Sequence, residues 1–236
     1  MIVQTHFGVQ CNRGGWTPKG HGPISPWKHD IQFLRQAKYL VAQGYSVLMY
    51  DMRGHGESDL GPTPWVSWGP EEAKDVIAAV EFVTGRFPEA AVGLLRICMG
   101  AASTTYAYGR ENGLARFDNI KAMIAVQPLL YTCFMQALGM PQFMVRAGER
   151  VSQKRLGFDM AQPNFIDDAP EITVPTLVVQ NQNDPWTQMG MVEEYFEEPT
   201  VEKELKLLDL EKSRFAAYDY VGAHPENLMG WFDRHM

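Results

Sequence analysis

The chain lacks any apolar run of 18 residues, which excludes a membrane-spanning helix. Its first residues, Met1-Ile2-Val3-Gln4-Thr5-His6, do not pass from basic to apolar as a secretory leader does. Cysteine is scarce: Cys11, Cys98 and Cys133 are the three in 236 residues, and their spacing matches no zinc site. So few cysteines argue against a disulfide framework and suit a reducing, cytoplasmic setting in which a free thiol persists. Positive charge is in deficit, with 21 Lys and Arg against 28 Asp and Glu and a net charge of -7. That balance argues against nucleic acid or an anionic membrane as a partner and leaves a small-molecule substrate as the expectation. Repeats, low-complexity segments and linkers are absent, so residues 1–236 are expected to form one domain. No ligand cluster or phosphate-binding loop is present, so no metal or organic cofactor is implied.

What the chain does have is a regular alternation of apolar runs with amphipathic stretches, the pattern of a parallel sheet flanked by helices. Strands are expected at Ile2–Thr5, Tyr45–Asp51, Ala90–Ile97, Ile120–Gln127, Val174–Asn181 and Leu205–Leu210. Ile31, Leu34, Ala37, Leu40 and Val41 space as one helix face that Gly44 closes. A second helix is expected from about Pro70 to Phe87, others over Ala101–Arg110 and Gln188–Phe196, and a last one with Leu228, Trp231 and Phe232 on one face. From Pro128 to Pro170 the chain carries several methionines and aromatics and no clear strand, which reads as a small, mostly helical cap over 128–170. The alternative is an ordinary crossover with long loops.

The most informative stretch is Arg96-Ile97-Cys98-Met99-Gly100-Ala101, which joins an expected buried strand to an expected helix. A sharp strand-to-helix turn lifts its tip residue out of the sheet, and here that residue is a cysteine. The helix start would present unpaired N–H groups and partial positive charge to the sulfur. Taken alone, Cys98 reads equally well as a small buried residue at a strand end. Two later segments change the balance. Asn181-Gln182-Asn183-Asp184-Pro185 follows a late apolar strand, and Gly222-Ala223-His224-Pro225-Glu226 leads into the last helix.

This constellation resembles the α/β-hydrolase fold superfamily, with a cysteine in the nucleophile elbow as in dienelactone hydrolases. The order nucleophile, acid, histidine is that of the family. The resemblance implies Cys98 as nucleophile, His224 as general base and acid, and Asp184 to orient the imidazole. It implies an oxyanion hole from the backbone N–H of Met99 together with Phe7 or Gly8, because His6-Phe7-Gly8 resembles the family's oxyanion loop. Tyr50-Asp51-Met52-Arg53-Gly54-His55-Gly56-Glu57-Ser58 resembles a structural turn of the family, so His55 and Ser58 are expected to be non-catalytic. His21, His29 and His235 are expected on the surface. Arg96 departs from the pattern, since the family carries a small residue there.

The resemblance implies a mostly parallel sheet of about six strands lacking the usual first two, with 45–51 at an open edge. Three explanations stay open for that edge: a minimal member, a second chain covering it, or preceding strands outside this sequence. The implied activity is cleavage of a small ester, thioester or lactone through an acyl enzyme. A cysteine acyltransferase and a non-catalytic small-molecule-binding member are the alternatives. A homo-oligomer is left open.

Overall fold

The computed structural model describes residues 1–5, 16–17, 31–61, 66–157, 160–161 and 163–236. Six strands form the main sheet: β1 (Ile2–Thr5), β4 (Val47–Met49), β5 (Val92–Ile97), β6 (Ile120–Val126), β7 (Thr176–Asn181) and β8 (Lys203–Leu208). Their order is β4-β1-β5-β6-β7-β8, and every pairing is parallel. A two-residue antiparallel ribbon, β2 (Trp16–Thr17) with β3 (Ile31–Gln32), stands apart. Burial follows position in the sheet. All residues of β5 and β7 are buried, and β6 exposes only Lys121, whereas β4 and β8 at the edges are half-buried. Strands covered on both faces need continuous apolar runs, which is why VGLLRI and IKAMIAV read so clearly in the sequence.

The helices are α1 (Leu34–Ala42), α2 (Ala73–Arg86), α3 (Met99–Tyr108), α4 (Tyr131–Ala137), α5 (Gln142–Leu156), α6 (Met189–Glu197), α7 (Arg214–Ala223) and α8 (Glu226–His235). The chain winds outward from β1 to β4, returns to β5, and then adds β6, β7 and β8 in order. The direction of winding therefore reverses between β1 and β5. In open parallel sheets, ligands bind at such a point, outside the carboxyl ends of the strands. Cys98 follows β5 there.

The six expected strands are present: β1 has the expected bounds, β4 to β7 are shorter than expected, β4 by four residues, and β8 starts and ends two residues earlier than expected. The expected helices are present too, with two corrections: α2 begins at Ala73 instead of Pro70, and α1 begins at Leu34, with Ile31 in β3 and with Leu34 and Val41 exposed instead of on the buried face. One helix was not expected: α7, which stands between β8 and the last helix. Between β6 and β7, the described residues form α4, α5 and a 3-10 turn at Phe165–Glu171, with no strand.

The turn after β4 is held to α2 by charge. Arg53 bonds Asp75 at 2.7 Å and Glu71 at 3.1 Å. The buried Glu72 carboxylate accepts from the Ser67 and Gly69 amides at 2.8 and 2.7 Å, which fixes the loop that carries Trp68. Within that turn His55 Nδ1 lies 2.9 Å from the Arg53 carbonyl and Ser58 donates to the Asp51 carbonyl at 2.7 Å. Both side chains are engaged in shaping the turn.

Candidate active site

The site is built where three strand ends deliver one side chain each. Cys98 comes directly off β5. Its amide still donates to the Val126 carbonyl at 2.9 Å, and its own carbonyl already accepts from Ala101 at 3.0 Å as α3 begins. The change from ladder to helix takes place within this one residue, at φ 57° and ψ -122°. A non-glycine residue held there stores about 1–3 kcal/mol of strain, which persists only where the surroundings impose it. Gly100, Ala101 and Ala102 are buried beside it, and their small side chains let α3 sit close to the sheet. Cys98 is 5% exposed.

Asp184 comes from the loop after β7. Its side chain is fully buried. Oδ1 accepts from the Trp186 amide at 2.9 Å, and Oδ2 accepts from Thr187 Oγ1 at 2.7 Å and from Arg214 Nη1 at 2.5 Å. Arg214 comes from the loop after β8, as the first residue of α7. Asn181 holds that loop in place: its Nδ2 donates to the carbonyls of Glu211 and Ser213, and its Oδ1 accepts from the Leu210 amide. Gln127, which follows β6, donates to the Arg214 carbonyl at 3.1 Å and accepts from the Asn181 amide at 3.0 Å.

The Arg214 guanidinium is saturated. Besides Asp184, it donates through Nε to the Tyr218 hydroxyl at 2.8 Å, through Nη1 to Thr187 at 3.0 Å, and through Nη2 to the Gln127 carbonyl. The rings of Trp186 and Tyr218 lie 5.7 and 5.8 Å from its central carbon. Burial alone would favour the neutral form. The Cys98 sulfur, the Tyr218 oxygen and the Asp184 carboxylate outweigh it and hold the group protonated. Burial also pushes the Tyr218 hydroxyl well above its usual range, opposed by Arg214 and reinforced by Cys98 and Asp184. Cys98 therefore adjoins a permanent cation and a neutral O–H donor. A guanidinium has no lone pair to accept a proton, so Arg214 cannot act as a general base.

His224 is not part of this cluster, which corrects the sequence-based placement. It caps the far end of α7, ten residues beyond Arg214, or about 15 Å along a helix rising 1.5 Å per residue. Its side chain is 51% exposed, its Nδ1 lies 3.3 Å from Glu226 Oε1, and its ring lies tilted against Tyr220 at 4.5 Å. The physical reason is α7 itself, which carries the histidine away from the strand end. The loop directly after β8 delivers Arg214 to that place. Sequence reasoning passed over Arg214, Tyr218 and Gln127. The signal for the first two was present: Ser213 precedes a stretch in which Ala217, Tyr218 and Val221 share a helical face.

Met99 opens α3, where the first N–H groups of a helix have no intrahelical acceptor. Phe7 and Gly8 lie outside the described residues, as do His6, Cys11, His21 and His29. His235, expected on the surface, is largely covered, with its ring 4.4 Å from Trp231. Arg96 is fully buried and reaches across β1 to donate to the Tyr50 hydroxyl at 3.3 Å, which is how a long side chain fits beneath the elbow. Cys133, in α4, is buried, and burial raises its thiol above the usual range.

An aromatic layer adjoins the site. Trp68 stacks on Phe134 at 4.7 Å, Phe134 meets Trp186 edge-on at 5.2 Å, and Trp186 meets Phe215 at 5.7 Å. Two cavities open beside the helical segment between β6 and β7. One of 160 Å³ lies between Tyr131 and Met160, and one of 220 Å³ lies between Met135, Met140 and Val145.

Residues 28–159, more than half of the chain, match the family described as serine aminopeptidase, S33. No curated protein matches by sequence. Among solved structures the chain is similar to an esterase of Pyrococcus furiosus, at 21% identity and a TM-score of 0.63, over 86% of this chain and 76% of that one. It is also similar to the enol-lactonase of Burkholderia xenovorans LB400, at 14% identity and a TM-score of 0.60, over 98% and 90%. A lipase-esterase related protein of Clostridium acetobutylicum is similar at 16% identity and a TM-score of 0.56, over 84% and 88%. At these identities the likeness is one of fold, and that fold is the α/β-hydrolase fold.

Proposed function

The chain belongs to the serine aminopeptidase S33 family, and from that premise we propose that it cleaves a small ester, thioester or lactone through an acyl enzyme on Cys98. The observation that carries this reading is a cysteine held in a strained strand-to-helix turn against the buried Arg214–Asp184 pair. The solved esterase and enol-lactonase of the same fold support the ester class.

The sulfur attacks as thiolate, and the Arg214 guanidinium beside it balances its charge. A C–S bond forms to the substrate carbonyl carbon, and the Met99 amide faces the developing oxyanion. The bond to the leaving oxygen or sulfur then breaks, and the leaving group takes a proton from the Tyr218 hydroxyl. In deacylation water returns that proton to the Tyr218 oxygen while its own oxygen attacks the acyl carbon. The acid leaves and the thiolate is restored. Asp184 fixes the fork of Arg214 in place.

A second reading is acyl transfer, in which an amine or alcohol takes the acyl group from Cys98 in place of water. The test is p-nitrophenyl acetate turnover with and without hydroxylamine. The proposal expects a rapid burst of p-nitrophenol and a loss of at least about 100-fold in Cys98→Ala. Unchanged turnover in that variant would overturn it. Products dominated by the hydroxamate would make the transferase reading the better one.

A further inference from the structure

Helix α5 presents the wrong face to solvent. At 100° per residue, Val145, Glu149 and Ser152 share the side turned to the body of the protein, and among the described side chains of the helix these three are the half-buried or buried ones. The opposite side carries Phe143, Met144, Ala147 and Val151. Phe143 is 73% exposed, Met144 47% and Val151 50%. A surface helix ordinarily turns its apolar stripe inward and its polar face to water. Here the stripe points outward. Leu138, just before the helix, adds a further exposed apolar side chain.

One flank of that stripe is basic: Arg146 and Arg150 border Phe143, and Lys154 stands between Phe143 and Ala147, all three exposed. The whole chain carries a net charge of -7, so this helix concentrates positive charge on an otherwise acidic protein. The 220 Å³ cavity that Val145 and Glu149 line lies on the inward side of the helix, away from the apolar stripe. Pairing the same helix between two copies would set Arg150 and Lys154 against their own kind, which like-charge repulsion opposes.

We infer that α5 docks in the plane of an anionic lipid surface, with Phe143, Met144 and Val151 entering the headgroup boundary and Arg146, Arg150 and Lys154 meeting lipid phosphates. This is the arrangement in which an amphipathic helix lies on a bilayer without spanning it. The expectation of no membrane partner rested on net charge and on the missing apolar run. Neither quantity registers a charge segregated onto one helix.

Co-sedimentation of the full chain with phosphatidylcholine and with phosphatidylcholine–phosphatidylglycerol vesicles tests this. The protein should pellet with the anionic vesicles, remain in solution with the neutral ones, and lose binding as salt is raised. Arg150→Gln with Lys154→Gln should lower vesicle partition about 30-fold, at about fivefold per cation removed. Phe143→Asp should abolish it. Thermal unfolding of each variant should match the parent, because these side chains are exposed. Failure to pellet with anionic vesicles, or equal partition of parent and variants, would overturn the inference. So would a dimer seen by light scattering that Phe143→Asp dissociates, since that would make a second copy the occupant.

Discussion

Replacing Arg214 by leucine probes how the site is held together. The substitution removes the donors to Asp184, Thr187, Tyr218 and the Gln127 carbonyl in one step. It leaves the Asp184 carboxylate, whose side chain is fully buried, with only the Trp186 amide and Thr187 hydroxyl as donors. Breaking a buried pair from one side costs about 3–5 kcal/mol, because the remaining charge stays desolvated. For a domain of this size that corresponds to a fall in Tm of about 6–20 °C. Asp184→Asn should cost less, because Arg214 keeps Tyr218, Thr187 and the Gln127 carbonyl. Combining the two changes removes both charges, so the double variant should be more stable than the sum of the single losses requires, by at least about 1 kcal/mol. Urea titration of the parent and the three variants closes the cycle, with m unchanged as the sign that one folded state is being compared. A loss below about 1 kcal/mol in Arg214→Leu, or strict additivity in the double variant, would refute the view that this pair organises the site.

Three further outcomes follow from the same geometry. His224→Ala should keep kcat/KM for a chromogenic ester within about twofold, since the imidazole stands about 15 Å along α7 from Arg214. A loss of 100-fold would return it to the mechanism. Asp168 is raised above its ordinary value by burial and by the nearby Asp167 and Glu171 carboxylates, with Arg110 opposing. A raised carboxyl favours the protonated folded state, so its stabilising effect is present at low pH and is lost as pH rises through the raised value. Asp168→Asn should therefore raise Tm at pH 7, with the gain shrinking as pH falls through the carboxylate range. Gly93→Ala should destabilise by about 1–3 kcal/mol in chemical denaturation, because the added methyl would stand 2.6 Å from Ile2 Cδ1 and 2.7 Å from Phe232 Cε1 and Met236 Sδ.

The sheet was legible because β5, β6 and β7 are covered on both faces, and such strands must be written as unbroken apolar runs. The elbow was legible for a different reason: Cys98 stands between a strand signal and a run of small residues that only a close strand–helix junction requires. The position of Asp184 just past β7 was legible through the same strand logic. His224 was misplaced because its chain order fitted while one helix, α7, went unread. Periodicity in RFAAYDYVGA is weakened by its small and polar residues, and the tertiary contacts of Ala217, Tyr218 and Val221 decide its structure. Arg214 escaped notice because an arginine next to a strand end reads as a solvated charge. Only the folded chain brings Asp184, Tyr218 and the Gln127 carbonyl around it. The outward apolar face of α5 was hidden likewise, since a stripe of apolar side chains on a helix says nothing of which side faces the core.

The proposed chemistry requires Cys98 to act as a nucleophile. Intact-mass spectrometry after brief exposure to p-nitrophenyl acetate, followed by peptide mapping, tests that directly. The prediction is one acetyl group per chain, carried on Cys98, which disappears as the ester is consumed and never forms in Cys98→Ala. Turnover of the ester with no adduct on Cys98, or with the acetyl group on Cys133 instead, would contradict it.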